Sequence, residues 1–305
     1  MAVDCIGIDI GYGYAKTCRA GDKKMFPTAV CAVTREGTFE EMSPVVVNGR
    51  RYLVGKEAER EGNTFDTRQS GFVASAPWLA VLAHCLWVNN FPGGKVVMGL
   101  PPGVYSKEYT QEILKAIRAS DVRIKGEPYR ISGNVRIIPQ GAGIFFSYVK
   151  DHPGDYRKNV AVVDIGHRTV DMVFFVDGKY VESAIQTHDI GMSVVLDNIK
   201  NAFLREYRRR IDFKAALAIL QGRQVTYLGE TYTMDVREEV DAYTKQVCSV
   251  IDHYLEDLPL RPDLAIIGGG GAIMRGLAGR HNLLVVNEPV MANAIGYYHY
   301  GTDLK

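Results

Sequence analysis

Two stretches of this chain, CIGIDIGYGYAKTC at residues 5–18 and AVVDIGHRTVDMVFFVD at residues 161–177, share one plan. Each is an apolar run, then Asp-Ile-Gly, then a short polar loop. The cores, Asp9-Ile10-Gly11 and Asp164-Ile165-Gly166, stand 155 positions apart in a chain of 305. Both runs read as strands stopped by glycine. A chain of this length is expected to hold two lobes, and a near-repeat half a chain apart gives each lobe one strand–Asp–Gly unit.

Between these units strands and helices alternate, which predicts the α/β class. Val45–Val47, Asn48-Gly49 and Tyr52–Val54 read as a hairpin, as do the segments around Asp177-Gly178, because both dipeptides suit type I′ turns. Lys95–Leu100 reads as a buried strand. Ile113, Leu114 and Ile117 set a helix over Lys107–Ala119. Val122–Ile138 reads as a hairpin broken near Gly133. Helices are expected at Trp78–Val88, Gly141–Tyr148, Val194–Tyr207, Ala215–Leu220, Asp235–Leu258, Ala272–Gly279 and from Met291 to Tyr300. Asp235 with Glu238 reads as a capping box. Leu264–Ile267 and Leu284–Val286 read as strands. The polar segment Asp151–Lys158, with Pro153 and Gly154, marks a lobe boundary. The expected lobes are 1–156 completed by 288–305, and 157–287.

Three glycine-rich turns follow strands: Gly11-Tyr12-Gly13, Gly166-His167-Arg168 and Gly268-Gly269-Gly270-Gly271. Such turns expose backbone N–H groups that cradle phosphate oxygens, although a lone one is usually a plain turn. No GxxxxGK[S/T] occurs, which excludes a P-loop. Lys16 stands where a dinucleotide fingerprint wants Gly or Ala, and an acidic Asp9 suits a bare pyrophosphate poorly. An aspartate at each strand exit fits better if Asp9 and Asp164 face one Mg²⁺ carried by a nucleotide, largely through water. Gly11, Tyr12, Gly13 and Tyr14 would then cover one side of the phosphates, and Gly166, His167, Arg168 and Thr169 the other. Lys16 could reach the β- and γ-phosphates. Gly268 to Gly271 would let a nucleoside approach the backbone.

IGIDIGYGYAKT resembles the first phosphate motif of the actin superfamily, VVDIGHRTVDMVFF its second, and LAIIGGGGAIMRGL its adenosine motif. IIPQGAGIFFSYV and EPVMANAIGYYHYG resemble its two connecting helices. The five follow the family's order across nearly the whole chain. The resemblance implies an actin-like, duplicated RNase H-like two-lobed fold with a nucleotide cleft between the lobes. Lys16, the hairpin VVVNGRRYLVGKEA and the ending ANAIGYYHYG resemble the plasmid-segregation actins of the ParM/StbA group. His167-Arg168 departs from the wider family pattern, in which many relatives carry small residues there, usually glycine. The resemblance implies that Gln140 orients the attacking water and that Asp171, with Asp164, supports hydrolysis. Asp9 and Asp164 position Mg²⁺.

The function so implied is a slow ATPase, splitting ATP into ADP and phosphate, with GTP as the alternative nucleotide. Nucleotide binding would drive head-to-tail polymerisation and hydrolysis would drive disassembly. Plasmid DNA would be reached through a DNA-binding adaptor of the ParR type at a centromere-like site. The balance of 36 Lys and Arg against 35 Asp and Glu, net +1, fits no direct contact with nucleic acid. The alternatives are a sugar-type kinase of the same superfamily and a cell-shape actin of the MreB type. The basic run Arg205–Arg210 reads as a solvated helix end or as a contact with nucleotide or a neighbouring subunit. Five cysteines without a CxxC pair, no apolar stretch near the roughly 18 residues of a membrane span, and Asp4 and Asp9 within the first apolar run place the expected protein in the cytoplasm, off the membrane.

Overall fold

The structure, a computed structural model, describes residues 4–33, 44–69, 71–131, 133–274, 276–277 and 283–303. The chain divides into two compact units, Met1–Arg157 with Val286–Lys305, and Lys158–Val285.

The first unit opens with β1 (Cys5–Ile10), β2 (Tyr14–Arg19) and β3 (Asp22–Pro27), an antiparallel meander. β4 (Val30–Ala32), β5 (Val45–Val47) and β6 (Arg50–Val54) come next, followed by α1 (Lys56–Glu61) and α2 (Ala76–Val88). Asn48 and Gly49 take φ values of 49° and 78° between β5 and β6, the left-handed pair of a type I′ turn. Ser75 accepts the Trp78 N–H to cap α2, which is buried almost throughout. β7 (Lys95–Leu100) leads to α3 (Lys107–Ala119), capped by Ser106 and anchored by buried Ile113 and Ile117. β8 (Val122–Ile124), β9 (Glu127–Pro128), β10 (Asn134–Pro139) and α4 (Ala142–Asp151) complete this part.

Its strands form two five-stranded sheets, ordered β10-β7-β1-β2-β3 and β4-β6-β5-β8-β9. The hairpin expected over 122–138 is therefore corrected. β8 turns back only into β9, and β10 crosses to the other sheet, where it runs parallel to β7. Ile137 and Ile138 are buried there, an environment that a two-stranded ribbon at an edge could not supply.

The second unit repeats the plan. β11 (Val160–Ile165) and β12 (Val170–Val176) are antiparallel, and both β13 (Lys179–Tyr180) and β14 (Gln186–His188) pair with β12. Then come α5 (Met192–Tyr207), α6 (Phe213–Leu220), the hairpin β15 (Val225–Tyr227) with β16 (Glu230–Tyr232), α7 (Arg237–Glu256), β17 (Leu264–Gly268) and β18 (Leu284–Val285). The sheet order is β13-β12-β11-β17-β18, with β17 parallel to β11 and β18 parallel to β17. Each main sheet thus places an antiparallel partner on one side of its first strand and two parallel strands on the other. β1 and β11 are buried almost end to end, as central strands covered on both faces must be.

α7 buries Tyr243, Val247, Ile251 and Tyr254 at helical spacing. Its expected capping box does not form. Val236 is the N-cap residue, and Asp235 instead accepts the Arg237 backbone N–H and pairs with the Arg237 guanidinium. The carboxylate is thus committed to Arg237, two residues on, and not to the Glu238 N–H that a capping box requires. The helix expected over 272–279 is absent where the residues are described, since 272–274 and 276–277 lie in turns; 275 and 278–279 fall outside the described residues. The chain returns to the first unit with α8 (Ala292–Asp303). Among the described residues, no helix is long and apolar enough to cross a membrane.

Candidate functional site

In the first unit, the β1–β2 register sets Ile10 opposite Ala15 and Asp9 opposite Lys16. Residues 11–14 form the intervening loop, closed by the Gly11 N–H donating to the Tyr14 carbonyl at 3.1 Å. Three successive loop carbonyls are tied to two threonines. Thr28 donates its hydroxyl to Gly11 O at 2.7 Å and its N–H to Gly13 O at 3.0 Å. Thr67 donates to Tyr12 O at 2.8 Å. The loop is thereby held in one orientation before any ligand arrives. A cavity of about 380 Å³ is lined by Tyr12, Gly13, Thr28 and Thr67, together with Glu59 and Asp66. Arg68 lines it as well, paired with Asp66 at 2.9 Å.

Asp9 is 2% exposed. Its Oδ2 receives the Lys16 ammonium at 2.9 Å and its Oδ1 the Gln140 amide at 3.0 Å. Gln140 follows β10, where its N–H donates to Leu100 O at 2.7 Å. Gly141 then takes a φ of 81°, which lets the chain turn straight from strand into α4. Three expected site residues, 131 positions apart at most, thus meet on one carboxylate.

The second unit builds the same loop residue for residue. Ile165 lies opposite Val170 and Asp164 opposite Asp171, and Gly166 N–H donates to Thr169 O at 2.9 Å. The position equivalent to Lys16 is therefore Asp171. Asp171 accepts hydroxyl hydrogen bonds from Thr169 and Thr187, both at 2.7 Å. Burial pushes its carboxyl above the usual range, Asp189 adds to this, and the two hydroxyls pull it back. Asp164 is 6% exposed, so this unit faces the sheet end with two carboxylates where the first has a carboxylate and an ammonium.

His167 and Arg168 are accommodated inside the unit. The imidazole packs edge-on against Phe213, with centroids 4.8 Å apart, and Arg168 Nε reaches Asp189 at 3.1 Å. The carbonyls of Gly166, His167 and Arg168 accept the N–H groups of Met192, Ser193 and Gly191 at 2.7–3.0 Å. A side chain at Gly191 would lie 2.4 Å from the Arg168 backbone. The second loop is thus laid on the first turn of α5.

The glycine run 268–271 closes over the same strand end, with Gly268 opposite Asp164. Gly269 has φ 85°, and a Cβ there would lie 2.4 Å from both Asp164 Oδ1 and Ile165 O. Gly271 N–H donates to Ile165 O at 3.0 Å. Space beside Gly270 is open. The run Arg205–Arg210 ends α5, which stops at Tyr207 with Arg208 left-handed. Arg209 lies over the Tyr227 ring and reaches Glu230. Thr28, Thr67 and Thr187 are outside every sequence motif, and nothing in their local pattern announces them.

Among the described residues, no group of three His, Cys, Asp or Glu side chains can hold a metal ion. Single buried carboxylates such as Asp9 and Asp164 do fit Mg²⁺ that brings phosphate and water oxygens with it. They are hard, anionic and placed beside ordered glycine loops.

Residues 7–143 match the family model for actin like proteins, N-terminal domain, and residues 162–277 match that for the archaeal actin homologue MreB-like, C-terminal. A search of curated proteins finds no match. Among solved structures, the chain resembles the archaeal actin homologue Ta0583 (20% identity, TM-score 0.82, 98% of each chain covered). It also resembles the subunit of a 15-stranded ParM filament from Clostridium botulinum (18%, 0.79, 99% of each). A third similar structure is Bacillus thuringiensis ParM with AMPPNP (14%, 0.70, 99% of this chain and 98% of that one). At these identities the likeness establishes the fold.

Proposed function

The chain belongs to the actin superfamily, and from that premise we propose that it is a filament-forming ATPase that moves or positions DNA. The observation that carries this reading is the cluster of Asp9, Lys16 and Gln140, joined in the second unit by a loop of identical construction ending at Asp164 and Asp171. Each unit offers a glycine loop and a carboxylate suited to a Mg-nucleotide. Bound Mg²⁺ neutralises phosphate charge; Asp9 and Asp164 are the residues that would hold it. Lys16 leaves Asp9 for the β- and γ-phosphates, Gln140 orients the attacking water, and Asp171 keeps Thr169 and its loop in place. An amide orients water without deprotonating it, so hydrolysis is slow. Gly268 to Gly271 admit the nucleoside.

ATP-bound subunits associate head to tail, which builds open filaments, and hydrolysis to ADP loosens them. The near-neutral charge, +1 overall, suits DNA carried through an adaptor protein bound at a centromere-like site, and work in the cytoplasm. The likeness to the archaeal homologue supports a second reading, a cytoskeletal actin of the cell itself, which would need no such adaptor.

Phosphate release tests the reaction. With Mg-ATP and water alone, the protein is expected to liberate phosphate, and Gln140→Ala to slow release about a hundredfold while nucleotide affinity changes little. Equal loss of affinity would remove Gln140 from this role. Phosphate transfer to a sugar in place of water would overturn the ATPase reading.

A further inference from the structure

We infer that the C-terminal helix α8 positions Gln140, through Tyr297 and Asn293, and so sets the hydrolysis rate. This rests on the ATPase reading above. Tyr297 is fully buried in a slot with three glycine walls. A Cβ on Gly7 of β1 would lie 3.1 Å from Tyr297 Cβ, and one on Gly143 of α4 would lie 2.7 Å from Cε1. One on Gly99 of β7 would lie 1.9 Å from the phenol oxygen and 3.0 Å from Gln140 Cγ. At Gly99 and Gly143 a side chain would collide with the ring itself; at Gly7 it would collide first with the α8 backbone, 2.1 Å from Ala294 O. The same Gly99 Cβ position thus has the phenol oxygen on one hand and the aliphatic stem of Gln140 on the other, which sets the end of the slot beside the residue whose amide is bonded to Asp9. One helical turn earlier, Asn293 accepts the Gly141 N–H through its Oδ1 at 3.2 Å. α8 therefore bonds one residue of the turn that carries the amide and borders the other.

A long side chain such as glutamine has several rotamers, and water positioning needs one of them. Lys16 moving to phosphate would leave Asp9 and the Tyr297 slot as the restraints on Gln140. Tyr297 touches neither nucleotide nor water in this account; it is a positioning residue. Removing its oxygen frees the stem without removing the amide.

The test uses the full chain. Affinity for a non-hydrolysable ATP analogue and single-turnover phosphate release at saturating Mg-ATP are measured for wild type, Tyr297→Phe, Gln140→Ala and the double variant. Tyr297→Phe is expected to keep affinity within about twofold and to slow release about tenfold. The double variant is expected to be no slower than Gln140→Ala alone, because the two residues act as one unit. Gly99→Ala, which presses on the phenol from the strand side, is the second variant and should give the same split. Wild-type release in Tyr297→Phe, a slowing that multiplies in full on that of Gln140→Ala, or affinity lost in step with rate would each overturn the assignment. A wild-type protein that binds no nucleotide would overturn the ATPase reading first and this inference with it.

Discussion

Asp9 and Lys16 form a pair on which both the fold and the proposed function draw. The carboxylate is 3% and the lysine 16% exposed along their side chains, so neither charge is well hydrated. Removing one partner leaves the other stranded, whereas removing both relieves it. Lys16→Met is therefore expected to lose about 2 kcal/mol of stability, and Asp9→Asn/Lys16→Met to regain most of it, by urea denaturation. A double variant as unstable as the single one would contradict the pairing. His84 supplies a second case. It packs edge-on to Phe26 and beside Trp87, and burial lowers its pKa to about 4. The unfolded chain then binds the extra proton first, so stability falls as pH drops from about 6.5 toward 4. Comparing denaturation at pH 7 and pH 5, His84→Phe should remove about 2 kcal/mol of acid sensitivity; an unchanged pH dependence would show that the ring is hydrated. The motif residues Asp9, Lys16 and Gln140 were legible before the structure because charge and glycine stand out against apolar strands. Thr28, Thr67 and Thr187 were not, since a threonine looks the same in sequence whether or not its hydroxyl holds a carbonyl or a carboxylate.

Among the elements, strands and helices with a strong local signal formed where the pattern set them. α3 spans Lys107–Ala119 as read, and both Asn-Gly and Asp-Gly turns are left-handed at both residues. The failures were those of partnership. β10 looks like half of a hairpin locally but pairs parallel with a strand 39 positions earlier, and no local pattern encodes that choice. Asp235 bonds both the backbone and the guanidinium of Arg237, two residues on, in place of the expected box. The crossing of α4 and α8 is equally invisible in periodicity. A Cβ on Gly296 would lie 1.7 Å from the Gly143 carbonyl oxygen, a backbone atom that cannot swing aside. Gly296→Ala should therefore cost about 3 kcal/mol or more, read as a lowered melting temperature. A variant as stable as wild type would mean that the two helices can part without cost.

The whole molecule repeats one sheet order in two units, and the near-repeat of Asp-Ile-Gly made that duplication readable. What the repeat concealed is its inversion of charge. The residue opposite the aspartate is Lys16 in one unit and Asp171 in the other, so the two loops are alike in backbone and opposite in what they offer a phosphate. In the proposed reading the first loop attracts phosphate directly, and the second needs a cation beside it. The proposed consequence is assembly governed by nucleotide state. Sedimentation of purified protein with Mg-ATP, followed over time against free phosphate, tests this most directly. The account predicts pelleted polymer that forms with ATP, decays as phosphate accumulates, and persists in Gln140→Ala. Protein that stays in the supernatant at every concentration with ATP, or pellets equally with ADP, would contradict it.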